Sequence, residues 1–234
     1  MLSRYISPQE DTLTASVFGH LLHLPVETFW QILRQACDGH ELPEHCGEPL
    51  LIDPWPKWAS EGTSNSRYVE PDLFLRFAEF DLIIEAKRWD GGMQSHDQWA
   101  KQLISYHNVY GANAGEENQN CHYLAVGGLW SYRSERFSFQ TEDGSVAGEC
   151  VVSKARWQGI VIQCQRLLRH LQDSPYPTSQ DRANQRLLGD LIELFAVHGF
   201  STGRWFEDLD FTKNRPAHRA ETSAIFGQLL YTYS

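Results

Sequence analysis

The most constraining stretch of this chain runs Pro71-Asp72-Leu-Phe-Leu-Arg-Phe-Ala-Glu-Phe-Asp-Leu-Ile-Ile-Glu85-Ala86-Lys87. It contains two apolar runs of strand length, residues 72–77 and 81–88, interrupted by Ala78-Glu79-Phe80. Two such runs so close in sequence predict a hairpin. Successive side chains on a strand point to opposite faces, so Glu85 and Lys87 share one face and Ile84 and Ala86 the other. Pairing the runs sets Asp72, near the start of the first, beside Glu85, near the end of the second. Two carboxylates and an ammonium then meet in one patch at a sheet end.

A patch of this composition suits a hard cation. Mg²⁺ binds through one or two carboxylates and keeps water and substrate phosphate as its remaining ligands. A lysine beside it can orient an attacking water and offset charge developing on phosphorus oxygens. The competing reading is a surface hairpin whose polar residues face water. Glu85 and Lys87 instead close a strongly apolar run, where a solvated face would alternate throughout.

These residues carry a resemblance. Pro71-Asp72, twelve intervening residues and Glu85-Ala86-Lys87 resemble the PD-(D/E)XK signature of the restriction-endonuclease-like nuclease superfamily. Downstream, Gln102-Leu-Ile-Ser-Tyr106 is similar to the QxxxY element that RecB-like members carry on the helix after the lysine. Upstream, Glu10 sits at the start of the first amphipathic helix, where that family often places a further acid; a helix cap or dipole partner is the equal alternative for it. The likeness covers about residues 10–130. It implies Mg²⁺-dependent hydrolysis of phosphodiester bonds in DNA, with Mn²⁺ able to substitute. Asp72 and Glu85 would hold the metal with the Ala86 carbonyl, and Glu10 would be a second-rank ligand. Lys87 would position water and stabilise the transition state, while Gln102 and Tyr106 would organise phosphate or base. Defence against foreign DNA is the role suggested, although repair and recombination nucleases share these motifs. A non-catalytic nuclease-like scaffold within a larger complex is the alternative from another class.

The chain has 234 residues and a formal net charge of −10. That length holds one large domain or a domain with an appendage, and that charge repels a polyanion at long range. A partner protein that delivers the nucleic acid is therefore expected, and a homodimer would be needed to cut both strands together. Cys37, Cys46, Cys121, Cys150 and Cys164 are odd in number and scattered, which argues against a disulfide framework. With no apolar run of spanning length and no signal-like start, a cytoplasmic protein without membrane association is expected.

The expected fold is α/β: a mixed central sheet flanked by helices (residues 1–152), followed by a helical C-terminal extension (153–234) packed on it. Helices are expected at 11–24, 26–36 and 95–110, strands at 50–53 and 122–128, and a hairpin within 131–150. A helix is placed over Ser153–Leu171 and another from Ser179 to about His198. The first of these would expose Lys154, Arg156, Arg166 and Arg169 as a basic surface for a nucleic-acid backbone or an acidic partner, a solvated helix face being the competing reading. Arg88 and Lys101 add two cations nearer the hairpin. Cys37, His40, His45 and Cys46 have no regular zinc spacing. No phosphate-cradling glycine loop and no nucleophile elbow is present.

Overall fold

The computed structural model describes residues 10–39, 41–89, 93–111 and 120–200. The chain opens with two helices, α1 (Glu10–Leu21) and α2 (Val26–Ala36). Pro25 precedes α2, where its missing N–H costs nothing. Strands β1 (Leu51–Pro54), β2 (Trp58–Ala59), β3 (Tyr68–Val69), β4 (Leu73–Arg76) and β5 (Phe80–Ala86) follow. Helix α3 (His96–Tyr106) leads through one π turn at His107–Gly111 toward β6 (Asn120–Val126), β7 (Glu135–Gln140) and β8 (Ala147–Ala155). Two long helices, α4 (Trp157–Gln172) and α5 (Ser179–Val197), come last. Thr178 and Asp181 cap α5 reciprocally, side chain to backbone at each end of the pair.

Six strands form a mixed sheet in the order β1-β4-β5-β6-β8-β7, and β2 and β3 form a separate ribbon. The expected hairpin is present: β4 and β5 pair antiparallel with Leu73 opposite Ile84. On its other side β5 runs parallel to β6, which runs parallel to β8. Every residue of β5 is buried. This explains its unbroken apolar run, because a strand paired on both edges and covered on both faces has no solvent side to alternate toward.

The sheet separates two cores. On one face Leu82, Ile84 and Ala86 pack with Leu13, Leu33, Ile160, Val161, Leu191 and Phe195 from α1, α2, α4 and α5. On the other, Phe74, Ile83 and Tyr123 pack with Trp58, Trp99, Leu103 and Tyr106 from the ribbon and α3. Each fully buried apolar side chain of this size contributes roughly 1.5–3 kcal/mol before ordering entropy is subtracted. The molecule is thus α/β, a mixed six-stranded sheet flanked by helices on both faces.

Two helix bounds are corrected. The helix expected from Ser153 begins at Trp157, because β8 continues to Ala155, its Val151–Ala155 segment paired along β6. Lys154 is therefore a strand residue and Arg156 the residue that precedes α4. The helix expected to reach Tyr110 keeps regular α geometry only to Tyr106, then widens into the π turn. Residue 152, the boundary position, lies within β8, and α4 and α5 pack on the sheet, as expected of the C-terminal helices. His40, the glycine turn at 90–92, residues 116–119 of a loop expected over Glu116–Asn120, and residues 201–234 of the C-terminal extension lie outside the described residues, while Asn120 opens β6. No helix among the described residues is long and apolar enough to cross a membrane.

Candidate active site at the carboxyl end of β5

Asp72 directly precedes β4, one step beyond the Leu73–Ile84 pair, and so faces Glu85 across the hairpin. Its Oδ2 accepts a hydrogen bond from the Ala86 amide at 2.7 Å. The N–H and C=O of one strand residue point to the same edge. The Ala86 carbonyl is consequently directed to the side on which Asp72 lies. The local sequence accounts for this: β4 ends its pairing at Leu73, leaving the Ala86 amide for a side-chain acceptor in place of a backbone one.

Glu85 is buried and surrounded by donors. Its Oε1 accepts from Lys87 Nζ at 2.5 Å and from Gln98 Nε2 at 2.6 Å, and its Oε2 accepts from Gln102 Nε2 at 2.6 Å. Gln102 Oε1 in turn accepts from the Tyr123 hydroxyl. Burial, then the negative charges of Glu85 and Asp72, push that hydroxyl well above its ordinary value, so it stays protonated and remains a donor. Gln94 Nε2 donates to the Glu85 carbonyl at 3.0 Å, and its own Oε1 is held by the Trp99 indole at 2.8 Å. A buried carboxylate without such partners would cost several kcal/mol, roughly, or take up a proton.

Lys87 is fixed from behind. Its amide donates to the Val126 carbonyl at 2.8 Å, and its carbonyl accepts from Trp157 Nε1 at 2.9 Å. Gly127 and Gly128, both at positive φ (66° and 67°), pass directly under it. A Cβ on Gly127 would lie 2.2 Å from the Lys87 carbonyl oxygen, and one on Gly128 would lie 2.6 Å from the Lys87 Cβ. Only glycine permits both this backbone conformation and this approach.

The structure brings Asp72, Glu85, Ala86, Lys87 and Gln102 together. It places Tyr106 elsewhere. Helix α3 runs antiparallel to β5, so the residue one turn past Gln102 reaches Asp81, four positions back along the strand. The Tyr106 hydroxyl donates to Asp81 Oδ2 at 2.7 Å, beside the two-pronged Arg76–Asp81 pair at 2.9 and 2.7 Å. Burial pushes the phenol well up, and its hydrogen bond to Asp81 raises it further. The bond to Asp81 also raises Arg76. These groups form a buried structural cluster.

The expected cations also divide. Arg88 follows Lys87, donates to the His198 carbonyl at 3.3 Å and stacks over Trp89 at 4.4 Å. Lys101 pairs with Asp97 one turn back on α3 at 2.6 Å. Lys154 is buried, paired with Glu135 at 3.2 Å and set over the Trp99 ring, so it is not part of an exposed basic face. Arg156 stacks on Tyr132 at 4.1 Å. Arg166 and Arg169 are exposed on α4, which packs on the sheet face opposite the Glu85 side chain. Glu10 opens α1, and its side chain is outside the described set.

Several participants were not read as site residues from sequence: Gln94, Gln98, Tyr123, Gly127, Gly128 and Trp157. Gln98 and Gln102 are one helical turn apart, which was a usable signal. Adjacent glycines directly after a strand were another. Nothing in the sequence around Trp157 pointed to Lys87, seventy residues earlier.

The donor set is all oxygen: two carboxylates and a strand-edge carbonyl. Among the described residues no group of three or more His, Cys, Asp or Glu side chains is arranged to hold a metal ion. Two carboxylates and a carbonyl fit Mg²⁺ or Mn²⁺, whose other ligands are water and substrate phosphate, better than a cation that demands a full protein cage.

No family model matches the chain. Over 207 residues it is 28% identical to an uncharacterized protein of Pasteurella multocida (strain Pm70), the match covering 86% of this chain and 74% of that protein. No solved structure matches it.

Proposed function

We propose that the chain is a metal-dependent nuclease of the PD-(D/E)XK type, with a restriction-endonuclease-like core, that hydrolyses phosphodiester bonds in DNA. One observation carries this reading: Asp72, Glu85 and Lys87 converge on one strand end, with the Asp72 carboxylate on the Ala86 amide and the Lys87 ammonium on Glu85. Asp72, Glu85 and the Ala86 carbonyl would hold Mg²⁺, or Mn²⁺ in its place. When bound, that ion supplies Lewis-acid charge against a phosphoryl oxygen.

The remaining work falls to the chain itself. Lys87 carries a positive charge into a half-buried site, where it offsets negative charge accumulating on the phosphate and orients the attacking water. Gln98 and Gln102 lock the Glu85 carboxylate in one orientation, and Tyr123 locks Gln102. Gly127, Gly128 and Trp157 fix the backbone of Lys87. An intracellular role in defence against foreign DNA, with a partner protein overcoming the repulsion of a −10 chain for its substrate, belongs to the same reading.

A specific observation favours a second reading, a nuclease-like scaffold without catalysis. Three hydrogen bonds already occupy Glu85, which has about four acceptor positions. Such a carboxylate is satisfied without any cation. Titration calorimetry with Mn²⁺ separates the readings. The enzyme reading expects a binding isotherm that Asp72→Asn weakens by at least about tenfold. A flat isotherm for the folded wild-type chain contradicts it and favours the scaffold.

A further inference from the structure

Eight large apolar side chains are well exposed among the described residues, and three of them leave the fold at one place. Trp89 is 54% exposed, Met93 55% and Trp130 84%. Trp89 follows Lys87 by two residues, so the two Cα atoms lie within about 7 Å. Trp130 follows Gly128 by two residues, and Gly128 sits against the Lys87 side chain. Met93 precedes Gln94, whose amide donates to the Gly128 carbonyl at 3.0 Å. These three segments therefore meet around Lys87. Two indoles and a thioether thus lie on segments that meet beside Lys87.

Trp130 stands 84% exposed and Trp89 keeps half its surface in water beside Phe200, at 6.2 Å between ring centroids, although the same chain buries Trp30, Trp58, Trp99 and Trp157. An apolar cluster beside polar machinery marks a contact surface. Its chemistry selects among partners. Nucleobases stack on flat aromatic faces irrespective of sequence, and that attraction does not depend on net charge. A chain of net charge −10 is poorly equipped to hold a duplex, whose bases are stacked on one another and whose outer surface is phosphate.

We propose that Trp89 and Trp130 form a stacking platform for unpaired bases, so that the substrate presented to Lys87 is a single strand or an unpaired end. The inference deepens the nuclease reading by naming its substrate class, and it rests on that reading for the chemistry but not for the binding. Arg88, itself stacked on Trp89, supplies a cation beside the stack.

The test is fluorescence anisotropy of the full chain in EDTA, where no metal-dependent cleavage can occur. The probes are a labelled oligothymidylate, an abasic phosphodiester strand of equal length, and a duplex. The platform predicts that the base-bearing strand binds at least about tenfold tighter than the abasic one and than the duplex. Trp89→Ala and Trp130→Ala should each remove about tenfold of that preference, with Tyr176→Ala, an exposed aromatic between α4 and α5, unchanged. Near-equal binding of the base-bearing and abasic strands, or a preference that survives the double tryptophan variant, overturns the inference and leaves the apolar cluster as a protein contact. Circular dichroism of the variants shows that they are folded. Failure here with metal-dependent cleavage intact removes the platform and keeps the nuclease. Base-dependent binding without cleavage under any metal keeps the platform and removes the nuclease.

Discussion

At the residue scale, the site is a case of one buried carboxylate organising its neighbourhood. Glu85 has donors on both oxygens, and two of its three donors are held by a further group: Gln102 by Tyr123, and Lys87 by the strand beneath it. Gln102 therefore has two functions in one amide, donor to Glu85 and acceptor from Tyr123. Gln102→Leu keeps the volume and removes both, leaving a buried hydroxyl and a carboxylate oxygen without a partner. The expected loss is about 2 kcal/mol of stability in urea unfolding. On the proposed function, Mn²⁺ affinity also falls about tenfold or more, since Glu85 is no longer held in one orientation. A variant as stable as wild type would show that the chain of hydrogen bonds carries no weight. Tyr106 makes the complementary point. Its spacing from Gln102 is that of a functional pair, yet a side chain one turn along an antiparallel helix reaches a different carboxylate, Asp81.

At the scale of elements, the strand end is the unit. Gly127 and Gly128 release β6 beneath Lys87 at positive φ, with no room for a side chain. Gly144, in the β7–β8 turn, has a similar φ of 69° but nothing within 4 Å of its Cβ position. Gly144→Ala should cost about 1 kcal/mol, the backbone penalty alone, and Gly127→Ala about 3 kcal/mol, because the Lys87 carbonyl must also move off the Trp157 indole. Equal melting temperatures for the two variants would contradict the close approach. The same comparison shows what was legible in the chain. The hairpin of β4 and β5 was, because its apolar runs are local and the break between them is short. The meeting of Asp72 with Glu85 followed from strand periodicity alone. Helix α2 was legible to the residue because Pro25 marks its start. The join of β8 and α4 was not. Ser153, Lys154 and Ala155 serve a strand as well as a helix, and only pairing with the distant β6 decides between them. The clamp of Trp157 on Lys87 was invisible for the same reason: it is a tertiary contact between elements with no common sequence pattern.

At the scale of the whole molecule, charge and protonation set the working conditions. Burial lowers His107 and His122, and burial with the nearby Arg88 lowers His198. Each of these imidazoles has its ordinary value near 6.5 when unfolded, so between that pH and the lower folded value the unfolded chain binds more protons. Stability therefore falls as pH drops from 7.5 to 5.5, a window in which unfolded Asp and Glu remain charged. Urea midpoints at the two pH values check this, and His122→Leu should lessen the fall. A midpoint that rises on acidification contradicts the buried neutral imidazoles. The most direct test of the proposed function is cleavage by the full chain of circular and linear DNA, single- and double-stranded, with Mg²⁺ or Mn²⁺, set beside EDTA and Lys87→Ala. The account predicts hydrolysis that requires the metal and drops at least about a hundredfold in Lys87→Ala, whose fold is unchanged, because an electrostatic stabiliser of the transition state is gone. Hydrolysis that persists in Lys87→Ala, or a folded wild-type chain that cleaves none of these substrates, would contradict it.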